Sequence, residues 1–463
     1  MSFLNNGLSG IHASQMALSV ASNNIANAAT PGYSRQQIML SARPGGFYGA
    51  GNGVQVDGVQ RIADQYLTAA VWSSNTQAGF ATAKASYLGK TEELFGSEGS
   101  NISAGLDSLY AALNASIESP NDIATRQGVL NEARALTSRF STINQGLDSQ
   151  LKQIESQLGA SVSEINTRLE NIANLNKEIQ GHTASGNIPP ALLDARDQAV
   201  SELSEMVEIR TTENSDGTLN ITLPMGQPLV LGNSAGTFNL TPDLDNPQFS
   251  KLSLSVGGTD YHLDGNVGGQ LGALFDYRDN SWQQSRDFID ELAMKLADAF
   301  NEVLAEGTDL NGNAPEMDLF SYDPANPAAT LKVSDGFTAD MLAFGKSENP
   351  GEPGKPGDNS NLLDLVALAD KKLEFDSLGT SATLNEAYAT KLGQLGIESR
   401  QAQLEAETAV GELVRSLNER DSVSAVSLDE EAVNLIIYQQ QYQANAKVIS
   451  MADQLFATAL HMW

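Results

Sequence analysis

The chain of 463 residues contains no cysteine, which excludes disulfides, a thiol nucleophile and zinc–thiolate sites. Basic residues are scarce: 27 Lys and Arg stand against 57 Asp and Glu, a formal net charge of −30. Nucleic acid and anionic membrane surfaces both call for basic patches, so neither is expected as a partner. No apolar run approaches the roughly 20 residues of a membrane span. The first residues lack the basic segment and continuous apolar core of a secretory signal peptide, so any export is expected to use another route. Hydrophobic residues at 41% still suffice for real cores, and the length suggests about three domains. The sharpest absence is local. Residues 1–34 hold no Asp, Glu, Lys or Arg, and the first charged side chain is Arg35.

Within that uncharged stretch Leu4, Ile11, Leu18 and Ile25 recur at seven-residue steps, with Leu8 between. This spacing predicts one apolar stripe along a helix. Its other faces carry Ser, Asn, Gln and Ala, whereas a solvated helix face is usually charged. Such a helix is expected to pack against protein on several sides and to stop at Thr30-Pro31-Gly32. The opposite end answers it. Leu428, Leu435, Tyr442, Ile449, Phe456 and Trp463 also fall at seven-residue spacing. From Ala432 to Trp463 only Lys447 and Asp453 carry charge, His461 aside. Ser427 with Glu430 three residues on predicts a capping box at the start of this helix. Paired apolar seams suit a coiled coil of the two ends.

Between them the pattern predicts a mainly α fold with a small inserted β domain. Gly-rich 33–60 reads as a connector or hairpin. Helices follow over 63–95 and 102–117, and another opens after Pro120. Leu147, Leu151, Ile154, Leu158, Val162, Ile165, Leu169, Ile172, Leu175 and Ile179 then step by three and four, a long core-facing helix. A helix from Pro190 reaches Met206. Short alternating pieces over 207–263, punctuated by Asp-Gly, Gly-Asn and Gly-Gly, read as β and are expected to form a peripheral insertion. Helix returns over 268–306. Residues 307–380 are irregular, with a Pro/Gly loop over 349–361, and a last long helix spans 381–419. The organisation is nested: a terminal assembly domain (1–35 and 424–463), a helical bundle domain (36–206 and 268–423) and the inserted β domain (207–267).

Motifs for chemistry are weak. Gly232-Asn-Ser-Ala-Gly236 matches a nucleophile-elbow pattern, which needs a strand before it and a helix after it; β-like Thr237-Phe-Asn-Leu follows, so a turn is expected. Asp309-Leu-Asn-Gly-Asn313 resembles the start of a calcium loop, but Ala314 and Phe320 stand where Gly and Glu are required. Gly49-Ala-Gly-Asn-Gly53 lacks the last Gly of a dinucleotide loop. The four histidines, His12, His182, His262 and His461, show no metal-ligand spacing. No catalytic, cofactor or metal site is expected.

Two long motifs point elsewhere. Ala21-Ser-Asn-Asn-Ile-Ala-Asn-Ala-Ala-Thr-Pro-Gly-Tyr-Ser-Arg35 resembles the N-terminal signature of the bacterial flagellar axial proteins, which build the rod, hook and hook-associated structures. Residues 427–450, including Tyr438, Gln441, Tyr442, Ala444 and Asn445, resemble their C-terminal signature. The N-terminal residues that carry the match are Asn23, Asn24, Ile25, Asn27, Pro31, Gly32, Tyr33 and Arg35. Gly-Tyr-Ser-Arg after the proline, and Gly307-Thr-Asp-Leu-Asn-Gly-Asn313 further on, are similar to the hook-associated members.

The resemblance implies a secreted structural protein, exported by the flagellar type III route, that forms a ring of its own copies at the hook–filament junction. Hook protein would lie on one side, a second junction protein on the other, and an export chaperone would hold the C-terminal helix. The expected assembly interface is Leu4, Leu8, Ile11, Leu18 and Ile25 with Leu428, Leu435, Tyr442, Ile449 and Phe456. Two alternatives are another axial subunit of the rod or hook, and a secreted surface enzyme using the same export route.

Overall fold

The computed structural model describes residues 2–44, 51–183, 188–244, 246–347, 355 and 357–461. Trp463 and most of the Pro/Gly stretch lie outside the described residues. Helix α1 (Ser2–Ala26) leads into a hairpin of β1 (Gln36–Ala42) and β2 (Val54–Arg61). Helices α2 (Gln65–Gly96), α3 (Ile102–Ser116), α4 (Ile123–Thr183) and α5 (Pro190–Met206) follow. Next come β3 (Arg210–Glu213), β4 (Leu219–Thr222), β5 (Pro228–Leu231), β6 (Ser234–Ala235), β7 (Thr237–Pro242), β8 (Ser250–Val256) and β9 (Thr259–Leu263). Helices α6 (Gly269–Asp276) and α7 (Gln283–Ala305) are joined by a π-helical turn, Tyr277–Trp282. The segment read as irregular contains short pieces: β10 (Phe320–Ser321), α8 (Pro327–Thr330), β11 (Lys332–Val333), α9 (Ser360–Ala367), β12 (Leu373–Phe375) and β13 (Thr380–Ala382). Long helices α10 (Leu384–Ser424) and α11 (Leu428–His461) close the chain. The fold is thus mainly α with small antiparallel sheets.

The two helices expected on either side of residue 145 are one. Helix α4 runs 61 residues through Gly128, Gly146 and Gly159 without a break, because its apolar stripe continues unbroken. Leu136, Phe140, Ile143, Leu147, Ile154 and Leu158 are fully buried, and such a stripe outweighs the roughly 1 kcal/mol that each helical Gly costs.

The chain folds as two compact units. One comprises Met1–Phe80, Ala160–Gly272 and Glu407–Trp463; the other comprises Ala81–Gly159 and Ala273–Ala406. This division cuts across the three nested segments read from the sequence, since the terminal helices and the β insertion share a unit. In the second unit Phe288, Ile289, Leu292, Leu296 and Phe300 of α7 are buried. The indole of Trp282 donates to the Leu147 carbonyl at 2.8 Å, and the Tyr277 hydroxyl donates to Gln150 Oε1 at 2.9 Å.

In the first unit the β insertion forms two antiparallel sheets, β3-β4-β5-β6 and β7-β8-β9. The insertion expected to be peripheral is tied to α4 by side chains. Asn176 of α4 accepts from the Leu219 amide at 3.0 Å and donates to the Leu219 carbonyl at 2.8 Å. Asn166, ten residues earlier, does the same to Phe238, at 2.8 and 2.9 Å. A carboxamide has the donor and acceptor of a peptide group, so each Asn pairs with strand backbone as a neighbouring strand would.

Candidate assembly interface

Helix α1 packs against α11 and against both strands of the hairpin. What faces α11 is not the large-aliphatic stripe but small residues. Gly7, Ser14, Ala17 and Ala21 are buried, and a methyl group at Gly10 would fall 2.6 Å from the Asn445 carboxamide carbon. One at Gly7 would fall 2.9 Å from Ile449 Cγ1. Small side chains let the two backbones approach closely. Leu4, Ile11, Leu18 and Ile25 flank this contact, half-buried, while Leu8 is exposed.

On α11, Leu435, Tyr442 and Ile449 are half-buried on the side toward α1, with Tyr438 and Asn445; Leu428, Phe456, Gln441 and Ala444 are exposed. Val433, Ile437, Ala444, Met451 and Leu455, at steps of four, seven, seven and four, are all exposed. Each of Ile437, Ala444 and Met451 sits two residues beyond a member of the predicted stripe. Two residues turn a helix by about 200°, so this second stripe lies on the opposite face. Leu455 is 65% exposed and Val433 and Met451 56% each, and nothing among the described residues covers them. Helix α11 therefore carries two apolar stripes. The regular spacing in the sequence identified the inner one; the outer one was visible at the same period but is shorter of large side chains at its centre.

The N-terminal motif residues form a hydrogen-bonded knot. Asn24, 1% exposed, accepts from the Gln36 amide (3.0 Å) and donates to the Gln36 carbonyl (2.9 Å), the same clasp as Asn166 and Asn176. The Tyr33 hydroxyl donates to Asn24 Oδ1 at 2.8 Å and accepts from Asn23 Nδ2 at 3.1 Å. Burial holds this hydroxyl above the usual tyrosine pKa; the Asn23 bond opposes that, and the Asp194 and Glu431 charges add to it. It stays protonated and able to donate. Asn27 donates back to the Asn23 carbonyl at 2.9 Å. Pro31 is exposed, and Gly32 adopts φ +75° beside Gln198, a conformation that excludes most side chains.

The Ser34 amide then donates to Asp194 at 3.1 Å, and Asp194 with Asp197 also holds Arg61. The Arg35 amide donates to the Ser424 carbonyl at 2.8 Å, and its guanidinium pairs with Glu430. Ser427 Oγ accepts from the Glu430 amide at 3.4 Å. The capping box is half made, because Glu430 gives its carboxylate to Arg35. The motif is thus a clip: it ends α1, turns the chain into the hairpin and ties that corner to the α10–α11 junction.

The nucleophile-elbow and calcium-loop patterns do not take those forms, and the glycine pattern over 49–53 lies partly outside the described residues. Ser234 lies in β6, paired with Leu231 of β5, and β7 follows rather than a helix. Asp309 Oδ1 accepts from the Asn311 and Asn313 amides at 2.8 and 2.7 Å, so the side chain is spent on its own loop. Among the described residues no three His, Asp or Glu are grouped to hold a metal ion, and no helix is long and apolar enough to cross a membrane.

Comparison with known proteins points to one family. The family model for the flagellar hook-associated protein FlgK helical domain matches residues 88–320. The flagellar basal body rod FlgEFG protein C-terminal model matches 419–462, and the flagella basal body rod protein model matches 4–33. Flagellar hook-associated protein 1 of Salmonella typhimurium is 30% identical, with all of both chains covered. That of Bacillus subtilis is 28% identical over 96% of this chain and 95% of its own. The flagellar hook junction protein FlgK from Burkholderia pseudomallei has the same fold, with a TM-score of 0.68 at 16% identity over 76% of this chain and all of its own.

Proposed function

The chain belongs to the flagellar hook-associated protein FlgK family, a family of structural rather than enzymatic proteins, and on that premise we propose that it assembles through the outer faces of α1 and α11 at the junction of hook and filament. The observation that carries this reading is the distribution of charge. The chain is at −30 overall. Residues 1–34 carry none, and residues 432–463 carry Lys447 (+1) and Asp453 (−1), which sum to zero. Copies of so acidic a chain repel one another overall, whereas these two terminal segments add nothing to that repulsion, and α11 leaves an apolar stripe uncovered there. Copies packed side by side would form a ring in the axial structure, with hook protein on one side and a second junction protein on the other. An export chaperone would cover the same outer stripe of α11 before assembly, because that stripe is what the unassembled chain exposes. The subunit would then belong to the part of the flagellum outside the cell.

Immunogold labelling of intact flagella tests the location: a band at the hook–filament boundary is expected, and label along the rod or hook would assign another axial position. Ile437→Asp tests the surface. Its side chain is exposed, so the monomer should melt within a degree or two of wild type. In the assembly the carboxylate would be buried without a partner at a cost of several kcal/mol, so the band should vanish. A normal band with this variant would show that the outer stripe is not the interface.

A further inference from the structure

Beyond Gln36, which Asn24 of α1 clasps, the outer edge of β1 is a second surface with no backbone partner among the described residues. In an antiparallel pair, residues whose backbone groups face the partner strand alternate with residues whose groups face away. Two bonds fix the parity of β1. The Ile62 amide donates to the Arg35 carbonyl at 2.7 Å, and the Arg43 amide donates to the Gly53 carbonyl at 2.9 Å, so odd-numbered residues from 35 to 43 face inward. Gln36 faces outward, and Asn24 takes both of its backbone groups. By the same parity Ile38, Leu40 and Ala42 present their N–H and C=O groups outward. Strand β1 has β2 as its single strand neighbour, and no described group pairs with this edge beyond Gln36.

Exposed strand edges are normally guarded by charge, proline or brevity. The other outer strands of five or more residues are: β2 contains Asp57 and Arg61, β7 ends in Pro242, and β9 contains Asp260. Strand β1 reads Gln-Gln-Ile-Met-Leu-Ser-Ala over seven residues, with neither charge nor proline. Met39 and Leu40 are exposed, Leu40 by 50%. The one irregularity in the pairing, between Met39 and Leu40, places its extra residue on β2, where Asp57 is skipped, and leaves β1 regular.

We propose that the outer edge of β1 is a strand-pairing site for a second copy of this chain, so that subunits are joined by backbone hydrogen bonds as well as by their terminal helices. A second copy is the occupant because the edge is uncharged in a chain of −30, and because it continues the uncharged helical surface. The hairpin is fixed to α1 at both ends, by the Asn24 clasp and by the Val54 amide donating to Ser9 Oγ at 3.2 Å. Whatever brings one α1–α11 pair against another brings this edge with it. The inference rests on the assembly reading above and adds to it a second, directional contact.

Proline separates the two contacts. At an outward position it removes one N–H and blocks the edge while leaving the pairing with β2 intact. Leu40→Pro is therefore expected to give a monomer with the wild-type melting temperature and protected Met39 and Ser41 amides. Flagella of cells carrying it should lose the immunogold band, whereas Leu40→Thr, which keeps the N–H, should retain it. A normal band with Leu40→Pro would overturn the proposal while leaving the helical interface untouched, since Ile437→Asp tests that separately. Hydrogen exchange on wild-type protein gives a test free of substitution. Amides of Ile38, Leu40 and Ala42 should exchange freely in the monomer and be protected in isolated flagella; free exchange in both would also overturn it.

Discussion

A single residue type does the same work in four places. Asn24, Asn166, Asn176 and Asn301 each sit on a helix and bond both backbone groups of one residue: Gln36, Phe238, Leu219 and Phe320. Each clasp satisfies a strand end or edge that would otherwise be buried unpaired. Asn24→Asp should cost about 1–3 kcal/mol, because the lost N–H leaves the Gln36 carbonyl facing a carboxylate. Faster hydrogen exchange at Gln36, without change in the second unit, is the expected sign; an unchanged rate would make the clasp incidental.

Glu291 plays the corresponding part with charge. It is nearly buried and accepts from the amides of Asp376 at 2.7 Å and Ser377 at 3.0 Å, and from the Ser377 hydroxyl. Burial alone would raise its pKa, but these bonds and the nearby Lys295 hold it below the ordinary 4.5. A depressed folded-state pKa stabilises above the unfolded value and ceases to do so as pH falls through the folded one. Thermal stability of the second unit should therefore drop on acidification below about pH 4.5, and Glu291→Gln should be less stable at neutral pH with a flatter acid limb. Equal slopes in the two proteins would assign the acid loss to other carboxylates. The sequence marked Asn24 by its motif and its uncharged helix, though not its partner; the roles of Asn166, Asn176, Asn301 and Glu291 were not legible. An Asn on a helix reads as part of a solvated face, and a Glu in an amphipathic helix reads the same way, until the loop that returns to it is known.

At the scale of elements, periodicity carried most of the fold. The steps of three and four along α4, the turn dipeptides of the β insertion and Pro190 at the start of α5 all correspond to observed elements. What periodicity does not decide is which face of α11 is left free. A helix with two stripes offset by two residues shows one clear heptad, and the one richer in large side chains is noticed first. Its central members Leu435, Tyr442 and Ile449 are half-buried, with Ile449 against Gly7, while Leu428 and Phe456 at its ends stay exposed. Ile449→Asp should accordingly loosen α1 in the monomer, seen as faster exchange along residues 7–21, while Ile437→Asp should not. Equal exchange in both variants would mean that the α1–α11 contact does not hold in the free chain. The β insertion makes the same point. Its boundaries were visible as a change of texture, but its attachment to α4 depends on side chains 43 and 72 residues away in sequence, a distance no local pattern reports.

At the scale of the molecule, the charge distribution predicts how assembly responds to salt. Bringing copies together places bodies of −30 side by side, while the surfaces that meet are neutral and gain no attraction from charge. The Debye length falls from about 30 Å at 0.01 M to about 8 Å at 0.15 M ionic strength, which removes most of the repulsion between bodies and leaves the burial of apolar side chains unchanged. Self-association of the purified chain, followed by sedimentation, should therefore strengthen as salt rises over this range. An interface held by ion pairs would weaken instead, and that outcome would sink the neutral-surface model. Salt should not rescue Ile437→Asp, because its penalty is the desolvation of a carboxylate at the contact rather than long-range repulsion. Recovery of that variant at 0.15 M would place residue 437 at the solvated rim of the interface instead of within it.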